Sequence, residues 1–164
     1  MKRVLLCVAM VLCVLPLAAQ QITKDTFHYA TTEGVELYLD RYTTAESIDE
    51  PKPAMIFAFG GGFVGGCRDR DFYQPYFHHL AKCGIVVVSI DYRLGLKNLP
   101  KDVGMVDMIG YLSNAVNIAV EDMYSATNFL IANAEEWGID TTKIMVSGSS
   151  AGAITALQAE WFRD

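Results

Sequence analysis

The chain has 164 residues, 52% of them hydrophobic and 20% charged, and a formal net charge of −6. That length is enough for one domain with its own core. The acidic balance and the lack of a basic cluster exclude nucleic acid and anionic membrane surfaces as expected partners.

Residues 1–20 read MKRVLLCVAMVLCVLPLAAQ. Lys2 and Arg3 form a basic start, Val4 to Leu15 an unbroken apolar run, and Ala18-Ala19 a small-residue exit. This is the pattern of a secretory signal peptide, cleaved after Ala19 or Gln20. A membrane anchor is the competing reading, but the run falls short of the roughly 20 apolar residues that span a bilayer. The expectation is an exported protein, periplasmic or secreted, with no membrane span after cleavage. Loss of Lys2 and Arg3 takes the net charge from −6 to −8. Cys7 and Cys13 leave with the signal, and Cys67 and Cys83 remain in a compartment that permits disulfides. A Cys67–Cys83 bridge and two unpaired buried thiols are both open readings, because sequence does not give the Cα separation.

Asp25 to Ala30 and Val35 to Tyr42 read as two antiparallel strands joined by the turn Thr32-Glu33-Gly34. Ala45 to Lys52 is a polar connector. Ala54 to Phe59 is a continuous apolar run of strand length, Ile85 to Ile90 is a second, and Ile144 to Val146 is a third. Strands without alternation are buried on both faces, the signature of a parallel sheet covered by helices. Phe72 to Lys82 reads as a helix, with Asp71 as its N-cap. Val116, Val120, Met123, Leu130 and Ala134 share helical spacing in a longer helix, Ala115 to Trp137, which Gly138 stops. Residues 21–164 are therefore expected to form part of one α/β domain. Its sheet is mostly parallel, with flanking helices and right-handed crossovers.

Gly148-Ser149-Ser150-Ala151-Gly152 fits G-x-S-x-G between the third apolar strand and a helix beginning at Ala151. A nucleophilic serine needs a sharp, strained strand-to-helix turn, and glycines on both sides leave room for it. The helix N-terminus adds free N–H groups and the positive end of a dipole. The bland alternative is a glycine-rich turn with Ser150 as an ordinary N-cap. Ser149 is the other hydroxyl, one position off the turn.

Phe59-Gly60-Gly61-Gly62-Phe63-Val64-Gly65-Gly66 follows directly on an apolar strand. Three consecutive glycines are costly in entropy, and a linker would not start at a buried strand end. The sharper reading is a loop that bares backbone N–H groups to a developing oxyanion, where one donor is worth about 3–4 kcal/mol. Two glycine-rich turns at strand C-termini fall on the same edge of a parallel sheet, where α/β proteins place their sites.

Taken together, these motifs resemble the carboxylesterase/lipase group of the α/β-hydrolases, in its HGGG-type, hormone-sensitive-lipase-like branch. Asp91-Tyr92-Arg93-Leu94 resembles the group's D-Y-R-L segment, and Glu121-Asp122 and Gly138-Ile139-Asp140 are similar to its later landmarks. The resemblance covers nearly all of the mature chain and implies an α/β-hydrolase fold, cut off after the helix that follows the serine. It implies that Ser150 is the catalytic nucleophile and that the N–H groups of Gly61, Gly62 and Ala151 form the oxyanion hole. Two departures stand out. Phe59 occupies the position of the group's loop histidine, so packing must brace the loop instead. The fold also places its acid and histidine after the serine, whereas no histidine follows Ser150 here. His28 falls in the first strand, and His78 and His79 fall mid-helix. A serine without a base is a poor nucleophile, so the 164 residues alone are expected to be inactive.

Arg93 is placed to pair with Asp91 or Asp122, or to remain solvated. Cys67 to Asp71 reads as a solvated loop, and Tyr111, Tyr124 and Trp137 as core or helix-packing aromatics. No residue spacing matches a zinc site or a calcium loop, and no G-x-G-x-x-G opens a βαβ unit, so neither metal nor cofactor is expected. The expected function is an exported serine hydrolase of carboxylic esters, acting on a small-molecule or carbohydrate ester. Acetyl or aromatic esters on plant polysaccharide are a candidate class. The alternatives are a non-catalytic binding module on the same fold, or a serine peptidase of the same superfamily.

Overall fold

The computed structural model describes residues 21–45, 50–100 and 102–161. The expected signal peptide, with Cys7 and Cys13, lies outside the described residues. Five strands are laid out in chain order as β1 (Ile22–Thr32), β2 (Val35–Thr44), β3 (Lys52–Ala58), β4 (Val86–Ile90) and β5 (Ile139–Gly148). The helices are α1 (Gln74–Lys82), α2 (Met105–Ala132), α3 (Ala134–Trp137) and α4 (Ala151–Trp161). A short 3₁₀ turn, Asp71–Tyr73, leads into α1.

The sheet order is β1-β2-β4-β3-β5. β1 and β2 form the expected antiparallel hairpin, and β2 pairs antiparallel with β4. β3 pairs parallel with β4 on one side and β5 on the other. All of β4 and the apolar part of β3 are buried, as their unbroken apolar runs require.

Successive residues of a strand point to opposite faces, and β2 shows which helix covers which. Tyr42 meets Phe77 of α1, with ring centroids 5.2 Å apart. Its neighbour Arg41 lies over the Trp137 ring of α3, 4.7 Å from the centroid. Phe27 of β1 meets Phe129 and Trp137 on that same face. So α1 covers one face, and α2 and α3 the other. α4 joins α2 there, where the Tyr124 hydroxyl donates to the Ala159 carbonyl at 2.7 Å.

Several boundaries differ from the sequence reading. β5 starts at Ile139, not Ile144, because Asp140 to Lys143 lie at the exposed sheet edge and carry no apolar signal. The long helix starts ten residues before Ala115, and it breaks at Asn133 before the short α3. Tyr111 lies in that early, exposed part and is not a core residue. Gly138, in left-handed conformation at φ 61, ends α3 as expected. Asp71 caps nothing: it is the first residue of the 3₁₀ turn, preceded by Arg70, and no side chain caps that turn or α1. Cys67 and Cys83 are free and exposed, so neither the bridge nor the buried thiols are present. Among the described residues, no helix is long and apolar enough to cross a membrane.

Candidate active site

The parallel register brings three strand ends level. Ala58 at the end of β3 pairs with Ile90 at the end of β4 and with Gly148 at the end of β5. The glycine-rich loop, the Asp91-Tyr92-Arg93 segment and the serine turn therefore leave the sheet side by side.

Ser150 stands exposed between β5 and α4, with φ 50. A left-handed conformation costs a non-glycine residue roughly 1–2 kcal/mol, so the surroundings must hold it. They do so through backbone bonds. Ser149 N–H donates to the Ala58 carbonyl at 3.1 Å, and Gly152 N–H donates to the Ser149 carbonyl at 2.9 Å. The flanking glycines are required by space. A Cβ on Gly152 would lie 2.1 Å from the Ala58 oxygen, and one on Gly148 would lie 2.3 Å from the Gly152 carbonyl carbon. The turn is thus pressed against the end of β3.

The glycine loop begins at that same end. A Cβ on Gly60 would meet the Ser149 oxygen at 2.8 Å and the Ser150 Cβ at 3.2 Å, so the loop and the serine turn touch. Further on, the Gly61 carbonyl accepts from Val64 N–H at 3.1 Å and Gly65 N–H at 3.2 Å. Phe63 is buried in left-handed conformation at φ 59, and its carbonyl accepts from Leu96 N–H at 2.9 Å. The N–H groups of Gly61, Gly62 and Ala151 have no acceptor among the described residues. The site therefore presents one exposed, strained hydroxyl beside a loop with unspent donors.

Phe59 is buried and stacks on Tyr92 with centroids 4.4 Å apart and planes 27° apart. Its ring also fills the space beside Gly66, where a Cβ would lie 2.5 Å from it. Packing thus braces the loop where the family motif has histidine.

Charged groups anchor the rest. Arg68, read from sequence as part of a solvated loop, instead pairs with Asp91 at 2.6 Å and with buried Asp40 at 3.2 Å. Lys24 also reaches Asp40, at 3.0 Å. Arg93 chooses Asp122 over Asp91. Its Nε donates to both Asp122 oxygens at 3.0 Å, and its own N–H donates to Asp122 Oδ2 at 2.7 Å. The terminal guanidinium nitrogens also reach Glu33, Glu121 and the Ile118 carbonyl. Burial pushes the Asp122 carboxyl up, against the opposing pull of Arg93. The Arg93 guanidinium is burdened by burial, yet its carboxylate partners carry its pKa above the ordinary value.

Of the sequence-picked residues, Ser150, Ala151, Gly61 and Gly62 come together at this edge. The histidines do not join them. His28 shares a 2.9 Å hydrogen bond with Thr31, His78 lies 6.0 Å from the Tyr42 ring, and His79 faces Cys83 at 3.9 Å. Sequence reasoning missed Tyr73 and Arg68. Arg68 sits among polar loop residues and Tyr73 at the start of a stretch read as helix, and nothing in their spacing marks them as loop anchors. No group of metal-binding residues occurs among the described residues.

The BD-FAE family model matches residues 39–161. The chain is 33% identical over 117 residues to acetylcholinesterase of Gallus gallus, covering 71% of this chain and 14% of that protein. It is 30% identical over 128 residues to fumonisin B1 esterase of Sphingopyxis macrogoltabida, covering 71% of this chain and 21% of that protein. Among solved structures, the thermophilic esterase Est2 of Thermogutta terrifontis superposes with a TM-score of 0.62 at 29% identity. That match covers 79% of this chain and 41% of that one. Est2 is also solved with propionate bound and phosphorylated by paraoxon. The chain thus spans less than half the length of the relatives it matches. Its parallel strand ends, serine turn and glycine loop, together with the family match over three-quarters of its length, show that it belongs to the BD-FAE family of α/β-hydrolase esterases.

Proposed function

We propose that this chain is the N-terminal part of an exported serine hydrolase that cleaves carboxylic esters. The observation that carries the reading is the contact between Gly60 and the Ser149-Ser150 turn. It sets a strained serine beside a loop whose donors are unspent. Ser150 attacks the ester carbonyl carbon through Oγ. The N–H groups of Gly61, Gly62 and Ala151 hold the oxygen that gains the negative charge. The alkoxide collapses, the alcohol leaves with a proton, and water then releases the acyl group from Ser150.

The general base and its acid partner come from residues beyond these 164. His28, His78 and His79 are each engaged elsewhere. Residues 1–164 alone are accordingly inactive. The basic, apolar and small-residue order of residues 1–20 supports export. Substrates with a small acyl group, on a small molecule or on a carbohydrate, suit an exported esterase, and the propionate bound to Est2 supports a small acyl site.

A panel of p-nitrophenyl esters, acetylated and feruloylated polysaccharide, and peptides, offered to the full-length protein and its Ser150→Ala variant, tests this reading. Ester turnover that vanishes in the variant is expected. Peptide turnover would favour a peptidase, and binding without turnover would favour a non-catalytic module.

A further inference from the structure

The peptide unit that enters the glycine loop is held at both of its polar ends by tyrosine hydroxyls. Tyr92 Oη donates to the Phe59 carbonyl at 2.6 Å. The Gly60 N–H of the same peptide donates to Tyr73 Oη at 3.1 Å. Both bonds are buried. Because a peptide unit is planar, two anchors on opposite edges fix its rotation about the chain axis. The next two peptides carry the Gly61 and Gly62 N–H groups, and the backbone that places them starts from this fixed unit.

The two tyrosines are themselves held. The Tyr92 ring stacks on Phe59, and its chain neighbours Asp91 and Arg93 pair with Arg68 and Asp122. Tyr73 packs edge-on against Phe57 of β3, with centroids 4.9 Å apart. Burial pushes the Tyr92 hydroxyl up from its ordinary value. Both anchors follow the loop in sequence, Tyr73 in the turn before α1 and Tyr92 beyond β4. Glycine at three successive positions gives the loop no side chains with which to hold itself.

We propose that Tyr73 and Tyr92 are positioning residues for the oxyanion donors, acting as a pair on the Phe59–Gly60 peptide. They do the work that a loop histidine would do, and they leave position 59 free for an apolar ring. The inference rests on the reading of Ser150 as nucleophile and of the loop as oxyanion hole.

The test uses the full-length protein, with active sites counted by a fluorophosphonate so that rates refer to folded, reactive enzyme only. Tyr92→Phe and Tyr73→Phe each remove one hydroxyl and keep the ring. Misplacing a catalytic group by a fraction of an ångström to an ångström costs up to about 100-fold, so each variant should lose about 10-fold in kcat per titrated site, with KM little changed. Because both hydroxyls act on one peptide, the double variant should lose much less than the product of the two single effects. Tyr124→Phe, which removes a similar hydroxyl-to-carbonyl bond near the far end of α4, should keep the wild-type rate per site. Per-site kcat in Tyr92→Phe and Tyr73→Phe equal to that of Tyr124→Phe would overturn the proposal while leaving the nucleophile reading intact. Failure of the wild-type protein to react with the fluorophosphonate at Ser150 would overturn the nucleophile reading itself, and the proposal with it.

Discussion

Gly60 and Ser150 are close enough that a single added carbon on Gly60 would come within 3.2 Å of the Ser150 Cβ. The two residues lie 90 positions apart in the chain. They meet because β3 and β5 are neighbours in the sheet and end in register at Ala58 and Gly148. A site of this kind is set by the pairing of the strands before any side chain chemistry is added.

The tightest contact in the serine turn is between Gly152 and the Ala58 carbonyl, where an added Cβ would lie at 2.1 Å. Both partners are backbone, so neither yields cheaply. Gly152→Ala is expected to destabilise the fold by about 1–3 kcal/mol, as other overpacking substitutions do. It should also displace Ser150. Urea unfolding followed by circular dichroism gives the first effect, and loss of ester turnover gives the second.

The ion-pair network around Arg93 should be uneven. Asp122 is 1% exposed in its side chain and Glu33 is 77% exposed. Asp122→Ala leaves a buried guanidinium short of its main partner and is expected to cost about 3–5 kcal/mol. Glu33→Gln removes only a solvated charge and should cost at most about 1 kcal/mol. Denaturant midpoints of the two variants check the contrast.

Asp140 provides a pH signature. The Lys143 ammonium at 2.8 Å, together with Thr142, lowers its carboxyl from 3.8 to about 2. A depressed carboxyl contributes stability above its unfolded value, and that stability is lost as pH falls through the folded value. Wild type should therefore exceed Asp140→Asn in stability at neutral pH. The advantage should fade between about pH 4 and pH 2. Urea midpoints of both proteins across that window measure it, and curves parallel throughout would show that the pair contributes nothing.

The three histidines provide a negative prediction. If the base lies outside this segment, His28→Ala, His78→Ala and His79→Ala in the full-length protein should each keep the ester rate within about twofold, as surface substitutions do. A loss of 100-fold or more in any of them, on the scale of a missing general base, would place the base within these residues.

Much of this was legible in the sequence, for physical reasons that differ from one element to another. The β3 and β4 strands announced themselves because burial on both faces demands unbroken apolar runs, as in Ala54 to Phe59 and Val86 to Ile90. The serine turn was legible because its geometry admits only glycine at 148 and 152. The first half of β5 was hidden, since edge residues such as Thr141 and Thr142 face solvent and carry no pattern. The start of α2 was missed rather than hidden. Met105, Met108, Ile109 and Leu112 fall at helical spacing, although Met105, Ile109 and Leu112 are exposed in the fold. Arg68 and Tyr73 gave no sign of their anchoring roles. Their partners, Asp40 and Asp91 for one and the Gly60 N–H for the other, are brought to them only by the folded sheet.

The role of Ser150 as nucleophile is tested most directly by mapping a covalent adduct. Full-length protein treated with a fluorophosphonate, digested and sequenced by mass spectrometry should carry one phosphonyl group on the peptide containing Ser150, and Ser150→Ala should carry none. An adduct on Ser149 or another residue, or ester turnover that survives in Ser150→Ala, would contradict the account.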